Sequence, residues 1–383
     1  MELIYLDHAA TTPIAKEVLD AMYPVYEQVF GNPSSVHSFG RKARQILDQA
    51  RRTIAAEIGA DEKEIIFTSG GTEADNLAMI GTALANKDKG NHIITTAQEH
   101  HAILHTAEYL EKHGFEVTYL PVYEDGKIRA EDLQKALTDE TILVSIMFVN
   151  NETGIIQPIQ EISRLLEDHQ AYFHTDAVQA FGLMDIDVGQ LGVDMLTVSS
   201  HKINGPKGIG CLYVKENIKL QPLQFGGEQE RKRRAGTENV VSVVGLQKAV
   251  ELAAEHREKR IKEYKEFREL FLTELKKHDV SFEINGDPAS SVPSILNISF
   301  PGANVEAMLT NFDLDGVAAS SGSACTAGSV DPSHVLSAMY GKDHPCTTNS
   351  IRFSFGSANT AENVSEAARR VAAIVNRLTA KGK

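Results

Sequence analysis

Two charged residues stand where an α/β chain places chemistry. In Phe173-His174-Thr175-Asp176 an apolar run ends on Asp176, and in Thr197-Val198-Ser199-Ser200-His201-Lys202 the next run ends, twenty-six residues later, on Lys202. Upstream, Ile65-Ile66-Phe67 leads into Thr68-Ser69-Gly70-Gly71-Thr72-Glu73, after which a helix is expected. Glycines let backbone N–H groups approach a ligand, and a helix N-terminus offers free donors and a positive dipole end, so this turn reads as a phosphate cradle. It is neither GxGxxG nor a Walker loop, because no lysine follows the glycines. A lysine able to bond an aldehyde, a carboxylate able to pair with a ring nitrogen, and a phosphate cradle are together what pyridoxal phosphate (PLP) chemistry requires. Singly each has a plainer reading: Asp176 as a turn residue, Lys202 as a surface lysine, Thr72 as a helix N-cap.

A third chemical candidate lies far away in the chain. Cys325 sits in Ser320-Ser321-Gly322-Ser323-Ala324-Cys325-Thr326-Ala327-Gly328-Ser329, a run of small residues. A free cysteine usually behaves as a small hydrophobe. A mobile segment is also what sulfur relay needs, since the thiol must reach a substrate sulfur and then swing out to an acceptor. An unperturbed thiol, with a pKa of about 8.5, is only a few per cent thiolate at neutral pH, so a nearby base or a lowered pKa is required. Cys211 and Cys346 have no such setting and read as structural. His100, His101 and His105 invite a metal reading, because 101 and 105 share a helix face, but no carboxylate or cysteine completes a set. No resident metal is expected.

The elements that must position these residues alternate. Apolar runs at 65–68, 92–95, 116–120, 142–149, 171–175, 195–199 and 210–214 read as strands. Amphipathic stretches at 41–58, 73–85, 102–112, 130–137 and 159–169 read as helices, the first closed by Gly59. This alternation argues a mostly parallel sheet covered on both faces, with ligands at the carboxyl ends of its strands. From Val240 to about His278 the chain reads as one or two long charged helices. A smaller region follows, with strand-like 294–300 and 350–355, helix-like 305–311, and a closing helix over about 360–378.

Bulk composition narrows the function classes. A chain of 383 residues is expected to form two domains. Thirty-eight Lys and Arg against 52 Asp and Glu give a net charge of −14, which disfavours sequence-independent nucleic-acid binding. Three scattered cysteines make no disulfide framework, and the start, Met1-Glu2-Leu3-Ile4-Tyr5-Leu6-Asp7-His8, has no signal-peptide pattern. No stretch is apolar enough to span a membrane, so a cytoplasmic location is expected.

Several motifs carry a family resemblance that runs nearly end to end. Tyr5-Leu6-Asp7-His8-Ala9-Ala10-Thr11-Thr12, Gly31-Asn32-Pro33-Ser34-Ser35, Glu99-His100, Asn150-Asn151-Glu152-Thr153-Gly154, His174-Thr175-Asp176-Ala177-Val178-Gln179 and Ser199-Ser200-His201-Lys202 resemble the cysteine desulfurases of PLP fold type I. The segment around Cys325 is similar to that of the nitrogen-fixation and iron–sulfur group, not to the Arg-Gly-His-His-Cys type. The resemblance implies a class-V aminotransferase-like α/β fold. Its large domain would span about 16–260 around a seven-stranded sheet. Its small α+β domain would comprise 1–15 and 261–383 and carry the cysteine loop at about 320–332.

The resemblance also assigns roles. Lys202 would bond PLP, His100 would stack on the ring and move protons, and Asn151 would stand near the phenolic oxygen. Asp176 would pair with the ring nitrogen, with Gln179 a second ring contact. Gly71, Thr72, Ser199 and His201 would hold the phosphate, joined by Thr237 from the second subunit of a homodimer. Arg352 would clamp the substrate carboxylate, with Asn32 in the same pocket. Cys325 would take sulfur from L-cysteine as a persulfide, and by family analogy could hold an iron–sulfur cluster transiently.

The implied partner is a protein sulfur acceptor, either a tRNA-thiolation enzyme or an iron–sulfur scaffold. The chain ends at Lys383, soon after its closing helix, where housekeeping members often carry a scaffold-docking extension, so a dedicated acceptor is expected. Arg231-Lys232-Arg233-Arg234 reads as charge beside the phosphate pocket or as an edge for an anionic partner. Two other readings remain at this level. Another PLP enzyme, an aminotransferase or selenocysteine lyase, would respectively not need Cys325 or would prefer selenocysteine. A non-catalytic sulfur carrier would not need Lys202.

Overall fold

The structure is a computed structural model that describes residues 2–322 and 332–380. Cys325 therefore lies outside the described residues.

The strands are, in chain order, β1 (Ile4–Tyr5), β2 (Ile65–Thr68), β3 (His92–Thr96), β4 (Glu116–Leu120), β5 (Thr141–Ser145), β6 (Tyr172–Asp176), β7 (Met195–Ser199), β8 (Gly210–Val214), β9 (Glu283–Ile284), β10 (Ile295–Ser299), β11 (Val317–Ala318) and β12 (Ser350–Ser354). Seven of them form the main sheet in the order β2-β8-β7-β6-β5-β3-β4. Within it β8 runs antiparallel to both β2 and β7, and the remaining pairings are parallel. The sheet is the one expected from the alternating pattern. Its central strands are continuous apolar runs because they are buried on both faces: every residue of β5 and β7 is buried.

Helices cover each face. Ser38–Glu57 turns Leu47, Ala50 and Ile54 inward at helical spacing, into one large core cluster, and Ala43 into a small one with Val25 and Val240. Gly71–Ala85 packs Ala74, Leu77 and Ala78 against Ile66, Ile93, Leu143 and Leu212 on the other face. Gly59 takes φ +67° just beyond the first of these helices, the left-handed closure that its glycine suits.

Some boundaries differ from the sequence pattern for identifiable reasons. The apolar run at 142–149 is expected to be strand throughout, but β5 stops at Ser145. Beyond it Ile146 and Phe148 still donate backbone hydrogen bonds to His174 and Asp176, at 3.1 and 2.8 Å, before the chain turns at Asn150. Helix Lys16–Gln28 gives little sequence signal, because it contains Pro24 and buries only Val18, Met22 and Val25. The charged stretch after residue 240 is one helix, Val240–Lys277, of 38 residues. Its first half lends Val243, Leu246 and Ala249 to the large core. Its second half lends Tyr264, Phe267, Phe271 and Leu275 to a separate core with β10, β12 and the helix Ala361–Ala380.

That second core surrounds a three-stranded antiparallel sheet, β12-β10-β9. The N-terminus reaches it: β1 pairs in parallel with β11, and Leu6 is buried in the same cluster. The first residues of the chain thus run from the small core directly to the strand ends of the main sheet.

Candidate active site

Asp176 is the last residue of β6, and Ser199 is the last of β7. A single 3₁₀ turn, Ser200–Lys202, follows β7 and swings Lys202 back over the strand ends. There the Lys202 ammonium donates to the carbonyl oxygens of Ala9 and, at 2.8 Å, of Ala10. The Tyr5–Thr12 segment is therefore a structural part of the site. His201 is fixed to the same segment: Thr11 Oγ1 lies 3.1 Å from its Nδ1, and Thr12 donates to its carbonyl through N at 2.9 Å and Oγ1 at 2.8 Å.

Behind these residues is a cavity of about 250 Å³. Of the residues named from sequence, Gly71, Thr72, Ser199, His201 and Lys202 line it at the helix N-terminus and the turn after β7. Asp176, Gln179, His100, Asn151 and Arg352 line the remainder. Asn32 and Thr237 do not line the cavity, and both are exposed in the single chain. Positions not named from sequence also contribute, among them Asp75 and the backbone turn Ala9–Ala10. Asp75 lies one helical turn beyond Gly71, so a glycine-rich helix start followed by an acid four residues later was the available signal.

The electrostatics separate the cavity's groups by burial. Burial pushes the Asp176 carboxyl up, to about 6, while the Val178 N–H at 2.9 Å and the Lys202 charge favour its ionised form. Burial also raises Asp75, and the neighbouring Asp176 raises it further. Desolvation, then Lys202, lowers His100 to about 4. His100 Nδ1 accepts from the Ala102 N–H at 3.1 Å, capping the helix His101–Lys112, so the neutral ring carries its proton on Nε2. His201 is lowered to about 4 by the same two causes. His174 lies beneath Asp176 on β6 with its Nε2 at 3.0 Å from Thr197 Oγ1 and 3.7 Å from Asp75 Oδ1, and burial drives it down to about 3.

Arg352, on β12, is buried. It donates to the Asn151 carbonyl at 2.9 Å and to Asp7 Oδ1 at 2.8 Å. The Asn150–Gly154 turn is held by Asn150 Oδ1, which accepts from the N–H groups of Glu152 and Thr153, each at 2.9 Å.

These residues suit PLP. A Cβ on Gly71 would stand 3.1 Å from Val178 Cγ2 and 3.5 Å from Ser199 Cβ, so the cradle needs glycine there to remain open. Asn151 Oδ1 is buried without a hydrogen-bond partner in the protein. N–H donors, hydroxyls and imidazole at one end, with a carboxylate on the central strand, match a phosphorylated ring with a protonated nitrogen.

The remaining sequence candidates resolve differently. His101 and His105 stack at 5.0 Å and His334 lies 4.8 Å from His101, but among the described residues no three His, Cys, Asp or Glu are placed to hold a metal ion. Cys211 and Cys346 are buried, and burial pushes their thiols up to about 12 and 11. Half of the basic cluster faces inward: Arg234 pairs with Glu73 at 2.8 Å and Arg233 donates to the Lys63 carbonyl, leaving Arg231 and Lys232 exposed. Among the described residues no helix is long and apolar enough to cross a membrane.

Comparison with known proteins extends this geometry. The aminotransferase class-V family model matches residues 4–366. A putative cysteine desulfurase IscS 1 of Bacillus subtilis (strain 168) is 60% identical over 379 residues, covering 99% of this chain and 100% of the relative. A solved NifS-like protein superimposes with a TM-score of 0.92 at 34% identity, over 98% of this chain and 100% of its own. A solved SspA in complex with cysteine is 38% identical with a TM-score of 0.81, over 92% and 98%.

Proposed function

The chain belongs to the class-V aminotransferase family, and on that premise we propose how its site works as a cysteine desulfurase. L-cysteine is converted to L-alanine, and its sulfur passes to Cys325. The observation that carries this reading is the convergence of Lys202, Asp176, His100 and Arg352 on one cavity, in a chain so similar to named desulfurases.

PLP, when bound, supplies an aldehyde for an amine and a protonated ring that accepts electrons. Lys202 would hold it covalently, Asp176 would keep the ring nitrogen protonated, and Gly71, Thr72, Ser199 and His201 would hold the phosphate. Gln179 and Asn151 would contact the ring and its oxygen. Once substrate takes its place, the Lys202 amine is the base that carries the substrate α-proton, and His100 Nε2 offers a second proton beside it. Arg352 binds the substrate carboxylate.

The sulfur step balances without an oxidant. The C–S bond of cysteine breaks and an S–S bond to Cys325 forms. Its proton replaces sulfur on the substrate carbon, so thiol plus cysteine gives persulfide plus alanine.

The finer assignments belong to the same proposal. A homodimer is supported by the exposed apolar side chains of Leu19, Tyr23, Tyr26, Phe30, Val36 and Phe39 along the first two helices and the loop that joins them. In it, Thr237 would serve the partner's phosphate site. Two separate hydrophobic cores, bridged by the helix Val240–Lys277, support a division into 16–260 and 1–15 with 261–383. The acceptor would be a protein of tRNA thiolation or iron–sulfur assembly in the cytoplasm. The test is to add L-cysteine and a reductant to the PLP-loaded protein and quantify alanine and sulfide together. Equal amounts, lost in Lys202→Ala, are expected; pyruvate in place of alanine would overturn the reading.

A further inference from the structure

His8 belongs to the N-terminal segment that also carries the Ala9 and Ala10 carbonyls, and it is only 5% exposed. Its ring stands edge-on to Tyr5, with centroids 4.9 Å apart, and against Gly356, where a Cβ would have no room. Neither Nδ1 nor Nε2 has a hydrogen-bond partner in the protein. Desolvation lowers the ring to about 4, so at neutral pH it is uncharged, with one N–H donor and one acceptor. Burying both without partners is costly, so a ring placed this way calls for a polar ligand. His8 lines a second cavity, of about 40 Å³, with Gln179, Lys202, Arg260, Ser354 and Ser357. This cavity backs onto the larger one, since Ala9, Val178, Gln179 and Lys202 line both. The partition is the Ala9 peptide. Its carbonyl accepts from Lys202 Nζ and, at 2.9 Å, from Gln179 Nε2, and its N–H donates to Ser354 Oγ at 2.8 Å. At the outer end Ser357 is exposed, and its Oγ accepts from Asn204 Nδ2 at 2.8 Å.

Resting on the reading that Lys202 carries the substrate α-proton, we propose that the rear cavity is a water site: ordered waters partnered by His8 carry protons between Lys202 and solvent while substrate fills the front cavity. A buried water needs about 10–15 Å³ and two to four polar partners, so the cavity holds roughly three. Its contents are water and not an anion, because the His8 ring is neutral and the Lys202 ammonium already faces two backbone carbonyls. The step moves protons only. The Lys202 ammonium gives one proton to the nearest water, that water passes one of its own to the next, and the last proton reaches solvent past Ser357. Lys202 is left as the amine, and nothing is oxidised or reduced. His8 keeps its own proton and is a positioning residue for the waters.

Two measurements test this. The first is a high-resolution crystal structure of the PLP-loaded wild type soaked in sodium bromide. Water density within hydrogen-bond distance of the His8 ring is expected; an empty cavity, or bromide in it, would overturn the proposal. The second places PLP-loaded wild type, His8→Phe and His8→Gln with L-alanine in D2O. It reads the alanine concentration that half-saturates the change in cofactor absorbance, and the rate at which deuterium replaces the α-proton by NMR. Half-saturation is expected to stay within about twofold of wild type, because Arg352, Asn151 and Lys202 remain in place. Exchange is expected to slow at least about tenfold in His8→Phe, which keeps a ring without either nitrogen, and to recover in His8→Gln, which keeps a donor and an acceptor. The crystal structure carries the test if His8→Phe fails to fold. Undiminished exchange in His8→Phe, or a slowing matched by an equal loss of alanine binding, would overturn the proposal while leaving the desulfurase reading intact. Absence of exchange in wild type with alanine bound would overturn the reading of Lys202 as the base, and the relay with it.

Discussion

Arg352 donates through Nη2 to Asp7 Oδ1 at 2.8 Å, which joins the strand β12 to the N-terminal segment that also holds Lys202. The guanidinium is buried with its charge balanced by Asp7, and it donates a further hydrogen bond to the Asn151 carbonyl. In the proposed role as carboxylate clamp, Arg352 would meet the substrate as a cation already oriented, so that binding would not have to order a free side chain.

Arg352→Lys should raise the half-saturating cysteine concentration by about 30-fold, equivalent to about 2 kcal/mol for a lost charge-assisted pair, with a smaller change in turnover. Steady-state kinetics with cysteine as the variable substrate reads both. Equal loss in turnover alone would contradict a carboxylate role.

Asp7→Asn leaves a buried guanidinium without its counter-charge and should cost about 3 kcal/mol of stability. A bound carboxylate replaces part of that charge, so added L-alanine should stabilise Asp7→Asn more than wild type in thermal unfolding. An equal shift in both would show that Asp7 and substrate do not share the arginine.

Arg51 and Glu230 form a buried pair at 2.6 Å, which also takes the Phe67 N–H and gives an N–H to the Ile65 carbonyl. Glu230, Arg231 and Lys232 follow one another at φ 47°, 59° and 67°, a strained run for non-glycine residues. Glu230→Ala removes the anchor and should destabilise the protein by about 3–5 kcal/mol, with weaker PLP retention because Arg234 in the same turn pairs with Glu73 of the cradle. Denaturant unfolding and cofactor release on dilution measure the two effects.

His174 is buried as the neutral ring, with its folded pKa driven down to about 3 from the ordinary 6.5. Below 6.5 the unfolded chain binds this proton and the folded one does not, so stability from His174 is present above 6.5 and is lost as pH falls toward 3. In the apoprotein, His174→Gln should reduce the acid slope of the unfolding free energy by about one proton, or about 1.4 kcal/mol per pH unit. An unchanged slope would contradict a neutral buried His174.

Much of this was legible in the sequence because strand ends are readable. Asp176, Ser199 and Lys202 follow apolar β runs, and the glycine turn before Gly71–Ala85 precedes helical spacing, so their convergence follows from a parallel sheet. What was not legible depends on long-range packing. Nothing local indicates that Ala9 and Ala10 offer carbonyls to Lys202, 193 and 192 residues away in sequence. Nor does local pattern reveal that His174 and Asp75 stand side by side under Asp176, since each reads as an ordinary strand or helix residue. The stretch over 240–277 reads only as charged helix because its Glu and Lys density masks the buried Tyr264, Phe267 and Phe271. Thr237, expected to reach the phosphate of a second subunit, does not line the cavity of the single chain, and neither does Asn32, which was expected in the pocket with Arg352.

The central claim is that sulfur from cysteine comes to rest on Cys325 and on no other thiol. Burial holds Cys211 and Cys346 as protonated thiols, far from the ionisation a nucleophile needs. The direct measurement is peptide mapping by mass spectrometry after the PLP-loaded protein receives one equivalent of L-cysteine and exposed thiols are alkylated. The account predicts one added sulfur on the peptide containing Cys325, none on those containing Cys211 or Cys346, and none anywhere in Cys325→Ala. Added sulfur on Cys211 or Cys346, or alanine formed undiminished by Cys325→Ala, would contradict it.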